Sequence, residues 1–420
     1  MAPPRILFLL VVLIALGTAL WRVPAPLEYQ FQLTEINPVK NRPLFEQYFA
    51  SSGVTARVHA PSVIEMADGR LLATWFAGSR EGAKDVEIHG AYFDPTGNHW
   101  SDNFTITSPT ETQQSRRYIR KVGNPVITIG PDGQLWLFYV SVSVGGWATS
   151  QINLIRSSDL GISWSEPKRL ISSPAFNLST LVKGTPFLYQ DGTLGLPAYH
   201  EFAAKFGEIL RISADGDVIG KSRLADGRYS LQPVVLIKDE VQAKSYMRYA
   251  GDEAPYRVLT QSTTDGGKSW SRPEKISILN PNSALAGLRD KSRMLLVLNN
   301  TEDERDRLSL EISNDNGQSW QTHYLFEDRS QYAKGSLSKK AFLQQLRHDL
   351  QQTKQSQQRD TEQLLKQVSK QTCRKGACAF QYDYPYIIRS RNGDYHLLYT
   401  WNRSLIKHVR FNDAWLEQLQ

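Results

Sequence analysis

The string SSDLGISW at residues 157–164 returns as TTDGGKSW at 263–270 and as SNDNGQSW at 313–320. All three keep Ser/Thr-x-Asp-x-Gly-x-x-Trp, a pattern that predicts a tight hairpin turn. Gly161, Gly267 and Gly317 have no Cβ and so reach the positive φ that such a turn requires. Asp159, Asp265 and Asp315 offer carboxylates that accept hydrogen bonds from turn amides. Trp164, Trp270 and Trp320 are wide apolar plugs for the space between adjacent sheets. These aspartates therefore read as structural rather than catalytic.

Spacing turns the motif into an architecture. Gly267 and Gly317 stand 50 residues apart, whereas Gly161 and Gly267 stand 106 apart, about twice as far. A worn copy fills the gap: SADGDVIG at 213–220 keeps Ser213 and Asp215 but loses the Gly and Trp. Upstream, FDPTGNHW at 93–100 keeps Gly97 and Trp100. Turns thus recur near 97, 161, 217, 267 and 317, each beside short runs rich in β-branched and aromatic residues. The clearest strand candidates are 69–78, 133–142, 292–300 and 393–401. A repeat of about 50 residues built from short strands indicates propeller blades. Five turns and a last blade over 380–412 predict an all-β, six-bladed β-propeller spanning 45–415, its first blade closed by chain from both ends.

Two segments depart from the strand pattern. Residues 336–372 are rich in Gln, Lys and Leu, with Leu343, Leu346 and Leu350 on one helical face and Leu364, Leu365 and Val368 on another. Two helices joined near Thr353–Arg359 are expected, within an insertion over 330–378 that is either solvated or a lid. The two cysteines, Cys373 and Cys378, are placed to close a small loop after it in an oxidising compartment. At the other end, residues 1–25 hold an uncharged apolar run from Ile6 to Trp21 between Arg5 and Arg22. It has no polar face, so an N-terminal hydrophobic helix acting as a signal peptide or membrane anchor is expected. The chain is then exported, and is periplasmic, secreted or membrane-anchored.

The 420 residues are 40% apolar, enough for a large core. The net charge of +7 is spread among 49 basic and 42 acidic residues, with basic clusters only at 115–121 and through 334–375. That dispersal argues against nucleic-acid binding. No metal-spaced cluster, phosphate-binding loop or Ser-centred nucleophile elbow occurs, so neither a metal nor another cofactor is expected. Ten Trp and 18 Tyr suit a β-rich protein or a sugar-binding surface.

Three Asp-box motifs on a six-bladed pattern resemble the sialidase (neuraminidase) superfamily, in particular the bacterial predicted-neuraminidase group with a BNR-type domain. The resemblance covers about 50–412, interrupted by the insertion. It implies arginines that hold a substrate carboxylate, an Asp acid/base, and a Tyr nucleophile assisted by a Glu. A neutral phenol suits an anionic sugar that would repel a carboxylate nucleophile, and arginines offer rigid, permanently charged forks.

Laid on this sequence, the resemblance makes Asp85 the acid/base, with Arg80 beside it in GSREGAKDVEI. Arg248 in YMRYAG and Arg305 in ERDRLSLEIS match two of the arginines, with Arg307 the near alternative to the latter. Tyr384 in YPYI matches the nucleophile, with Tyr382 its rival. The first arginine falls on His59 and its acidic partner on Thr400, while the assisting Glu falls on Gln232. Losing a buried charge together with its partner leaves no orphan, which points to a re-purposed pocket. Gln232 cannot accept a proton from Tyr384, so Glu201 and Asp383 are the alternative bases.

Each assignment competes with a plainer reading: a turn carboxylate for Asp85, aromatic packing for Tyr384, and surface ion pairs for the arginines. His59 is either a sugar contact or an ordinary strand histidine, and His200, Arg403 and His408 near blade ends are weaker leads. The expected function is a sialidase-like exo-glycoside hydrolase acting on a terminal acidic sugar of a glycan. The rival is a non-catalytic carbohydrate-binding or envelope-assembly propeller.

Overall fold

The structure, a computed structural model, describes all residues except 1–3, 22–26, 34–41, 54, 114–117, 174–176, 203, 225–228, 291–292, 333–336, 356–359, 375–376 and 420. Parts of the N-terminal apolar segment, of the 115–121 basic cluster and of the helix–helix joint lie outside the described residues.

Six antiparallel sheets are arranged as propeller blades. In chain order their innermost strands are Arg57–Glu65, Lys121–Ile129, the broken pair Leu181–Val182 and Phe187–Leu188, Ser230–Ile237, Ala286–Asp290 and Tyr382–Arg389. Successive blades meet around a ring, and the first packs against the last. The strands carry apolar residues on both faces because each blade is sandwiched between two others. Accordingly, six clusters of buried side chains form, one per blade interface.

The repeated octapeptides connect the third and fourth strands of blades two, four and five. In each, a hydroxyl (Ser157, Thr263, Ser313) donates to the Asp at 2.7–2.8 Å and accepts from the motif glycine N–H at 2.8–3.0 Å. The same Asp accepts at 2.9 Å from the N–H of Ser163, Ser269 or Ser319. All three glycines sit at φ of +79° to +89°. Trp320 packs edge-on against Tyr246 of the preceding blade, and Trp270 joins the cluster holding Tyr189 of blade three. The worn copies at 94–98 and 213–217 occupy the equivalent turns of blades one and three.

Closure differs from expectation. The chain ends meet in the sixth blade, where Phe45–Phe49 pairs with Leu405–Phe411 as its fourth strand. The first blade is built from consecutive chain alone.

The insertion is neither solvated nor detached. Helices Lys339–Gln352 and Thr361–Thr372 bury Phe342, Leu346, Leu350, Leu364, Leu365 and Val368 in the cluster between blades five and six. Its short strand Lys354–Gln355 pairs with Phe45–Phe49, covering the outer edge of blade six. A disulfide joins Cys373 to Cys378 in the hairpin that follows. The N-terminal helix Pro4–Trp21 leaves Ile6, Phe8, Leu9 and Leu13 exposed. Among the described residues no helix is long and apolar enough to cross a membrane.

Candidate functional site

Four inner strands share one defect. At Ala60–Pro61, Asn124–Pro125, Gln232–Pro233 and Tyr384–Pro385 the pairing register slips, and the residue before proline takes φ of +45° to +56°. Non-glycine residues avoid this region, and a following proline restricts them further. Strain repeated at equivalent places in several blades marks a site held by its surroundings. The bulges fall near the starts of the strands, so they line one mouth of the central funnel. The Asp-box turns lie at the opposite face.

The bulges bring distant polar groups together. The Gln232 side-chain nitrogen lies 3.2 Å from the Tyr384 hydroxyl and 3.3 Å from that of Tyr199. Arg248 Nη1 lies 3.4 Å from Gln232 Oε1. A guanidinium only donates, so the amide oxygen faces Arg248 and the amide nitrogen faces both phenols. Asn124 Nδ2 donates to Tyr199 as well, at 3.2 Å. Both phenol oxygens therefore accept from amides, and Gln232 cannot receive the Tyr384 proton.

Around this centre, Arg248 also donates to Asn282. Arg305 pairs with the buried Asp383 at 2.8 Å and donates to the Asn282 carbonyl at 2.9 Å. The His59 ring lies 4.4 Å from the Tyr384 ring and is buried, with no hydrogen-bond partner at Nδ1. Burial lowers its pKa. Thr400, standing where the acidic partner was expected, accepts from the Ala60 N–H at 3.1 Å. His59 and Thr400, where the resemblance implied an ion pair, thus supply a buried ring and a hydroxyl that pins the bulge.

The remaining predicted residues separate. Glu201 is half-buried beside Arg248, and burial raises its pKa. Tyr382 is sealed in the apolar cluster between blades five and six, which removes it as a rival to Tyr384. Arg305, not Arg307, engages Asp383. Arg80 and Asp85 lie exposed on the loop after Leu71–Gly78, at the funnel mouth. Asp85 accepts from the Ser79 N–H at 3.0 Å and from its hydroxyl at 2.9 Å, and among the described residues it makes no bond to Tyr384. His408 is a core residue, taking a bond from Trp100 and meeting His396 at 3.0 Å. No group of His, Cys, Asp and Glu suited to a metal occurs among the described residues.

Residues that sequence reasoning missed include Asn124, Tyr199 and Lys183. Lys183 lies in the break of the inner strand of blade three and reaches across the axis to blade six. There its ammonium donates to the Pro385 carbonyl at 2.9 Å, 5.9 Å from the Tyr384 ring centre and 5.1 Å from that of Tyr386. It is 3% exposed, and desolvation lowers its pKa to about 7. The signal for Asn124 was present in the sequence: its Asn-Pro pair repeats the spacing of Ala60–Pro61, Gln232–Pro233 and Tyr384–Pro385 within each inner strand.

The fold and its repeats have relatives. Residues 69–397 match the family of the BNR repeat-like domain. No curated protein matches the sequence. Among solved structures, the Hadza microbial sialidase Hz136 superposes with a TM-score of 0.61 at 15% identity, covering 86% of this chain and 66% of that one. A Dyadobacter fermentans protein of unknown function gives 0.61 at 13%, covering 87% of this chain and 98% of that one. A leech intramolecular trans-sialidase gives 0.60 at 13%, covering 91% and 71%. At such identities the likeness speaks for the fold alone, a six-bladed propeller. With three Asp boxes on six blades and a family match across most of its length, the chain belongs to the BNR repeat-like domain family.

Proposed function

We propose that the protein is an exo-glycoside hydrolase that removes a terminal acidic sugar from a glycan bound in the funnel. The observation that carries this reading is the meeting of Tyr384, Gln232, Arg248 and Arg305, drawn from three blades, at the strained inner strands. Arg248 and Arg305 hold the anionic group of the sugar. Tyr384 attacks, or stabilises, the oxocarbenium-like centre. Glu201, half-buried near Arg248, takes the proton that Gln232 cannot. Asp85, on its loop at the mouth, protonates the leaving oxygen once the glycan shields it from water.

The test is a panel of fluorogenic acidic glycosides, sialosides first. The wild-type protein releases product from at least one, and Asp85→Asn lowers turnover by about 10²–10⁴-fold without changing the melting temperature. Unchanged turnover in that variant removes Asp85 from the chemistry. One observation favours a second reading, a glycan-binding propeller without turnover: the amide of Gln232 replaces a base beside Tyr384. Binding without product across the whole panel decides for it.

The same reading has the protein exported, supported by the apolar run Ile6–Trp21 and the Cys373–Cys378 bond. Intact mass of the exported protein distinguishes a cleaved signal from a retained anchor. Retention in the cytoplasm contradicts export.

A further inference from the structure

A second group of cations lies nearer the mouth than the Tyr384 centre. The strand Arg57–Glu65 starts at the mouth, and residues two apart along a strand share a face. Arg57 is therefore one pleat, about 6–7 Å, further out than His59. Arg403 lies beside it: the Val58 N–H donates to the Arg403 carbonyl at 3.2 Å. Asn402 and Arg403 take φ of +49° and +57°, two consecutive non-glycine residues in the left-handed region. The turn between Tyr395–Trp401 and Leu405–Phe411 thus holds Arg403 at the mouth in a conformation its backbone disfavours. From the other side comes the insertion. Gln367 donates to the Thr55 carbonyl at 2.9 Å, fixing the second helix beside the first blade. The disulfide hairpin that follows carries the exposed Arg374.

Among the described residues, the one carboxylate within 4 Å of these guanidiniums is Glu81, beside Arg57. Arg403 donates to the neutral amide oxygen of Gln381. Asp383 is already taken by Arg305 and by the Gln381 amide. Glu81 reaches Arg57 only at 3.9 Å, and Arg57 Nε is buried without a partner. The partnerless Nδ1 of His59 is buried one pleat below. Arg403 has a lowered pKa, from burial first and then from repulsion by Arg57, with Arg374 adding to it against Asp383 and Glu81. Partly desolvated guanidiniums at this density, with a single long carboxylate contact among them, are costly unless a further anion joins them.

We infer that Arg57 and Arg403, with Arg374 at the rim, form a second anion subsite for a carboxylate or sulfate on the sugar next to the one seated over Tyr384. The ligand is then an oligosaccharide with acidic groups on consecutive residues. This rests on the glycan reading of the funnel and adds to it a requirement for a second charge.

The test compares ligand pairs by titration calorimetry: sialic acid against α2,8-linked disialic acid, and galacturonic acid against digalacturonic acid. In at least one pair the dianionic ligand binds the wild-type protein at least tenfold more tightly, with a steeper loss in salt. In Arg57→Gln and Arg403→Gln that advantage falls below threefold, and Arg403→Lys restores part of it. The glutamines keep hydrogen-bonding capacity, and melting curves verify that each variant folds. An advantage that survives in both variants overturns the subsite, as does its absence from the wild type. If no acidic sugar binds, the glycan reading itself fails, and the subsite is then judged by sulfate in a thermal shift. Sulfate stabilising the wild type but not the double glutamine variant sustains it, and equal stabilisation of both overturns it.

Discussion

The two faces of the propeller are built on opposite rules. On the Asp-box face, three turns repeat one set of hydrogen bonds with the same residue types at the same offsets. On the funnel face, four bulges repeat one backbone conformation but present Ala60, Asn124, Gln232 and Tyr384, four different side chains. A repeated side-chain pattern solves a repeated structural problem, here the closing of a blade. A repeated backbone with varied side chains is a frame on which chemistry is placed. The two faces should therefore answer mutation differently: substitutions at the funnel alter ligand handling with little change in stability, and substitutions at the boxes do the reverse.

The largest expected effect is at the funnel. Tyr384→Phe should lower turnover on a responsive glycoside by about 100-fold or more while leaving the melting temperature within about a degree, read from parallel rate and thermal assays. A loss of several degrees would blur the contrast between faces. Lys183→Met is the exception inside the funnel, a change that moves stability and ligand handling together. Removing a buried ammonium that has no carboxylate partner among the described residues should stabilise the fold by roughly 1–3 kcal/mol in urea titrations, while weakening ligand binding above it. The pH sign follows from the lowered pKa: the native state disfavours the charged form, so wild-type stability rises from about pH 7 toward pH 10, and the Met variant lacks this slope.

On the box face, Gly317→Ala places a Cβ at φ +79° and 2.3 Å from the Tyr246 hydroxyl. A cost of about 2 kcal/mol with activity retained is expected, read from the urea midpoint and the same glycoside assay. Near neutral pH the smallest effect concerns neither mouth. His396 and His408, bonded to each other inside blade six, are held neutral by burial, His396 down to about 3. The unfolded chain binds their protons below its ordinary histidine pKa of about 6.5, so stability should fall as pH drops from about 6.5 toward 4. His396→Gln should flatten part of that decline.

How much of this was legible depended on distance along the chain. The boxes were readable because the Asp and hydroxyl bonds that shape each turn close within eight residues, so the pattern in SSDLGISW contains its own structure. Even there, the serine that follows the Asp by four, Ser163, Ser269 or Ser319, was passed over, although its N–H completes each turn. Tyr384, Gln232, Arg248 and Arg305 were reachable through family resemblance, and the structure brings them together. Tyr199 and Lys183 were not, because their partners lie on other blades and no local motif surrounds them. Closure was misplaced for the same reason. Phe45–Phe49 finds its partner more than 350 residues away, and nothing near it in sequence says which blade it completes.

The most direct test of the central claim is a crystal structure of the protein with an acidic sugar from the responsive glycoside bound. The anomeric carbon is expected over the Tyr384 hydroxyl, with the sugar's carboxylate on Arg248 and Arg305. A sugar seated on the Asp-box face, or one in the funnel that leaves Tyr384 and Arg248 untouched, would contradict it.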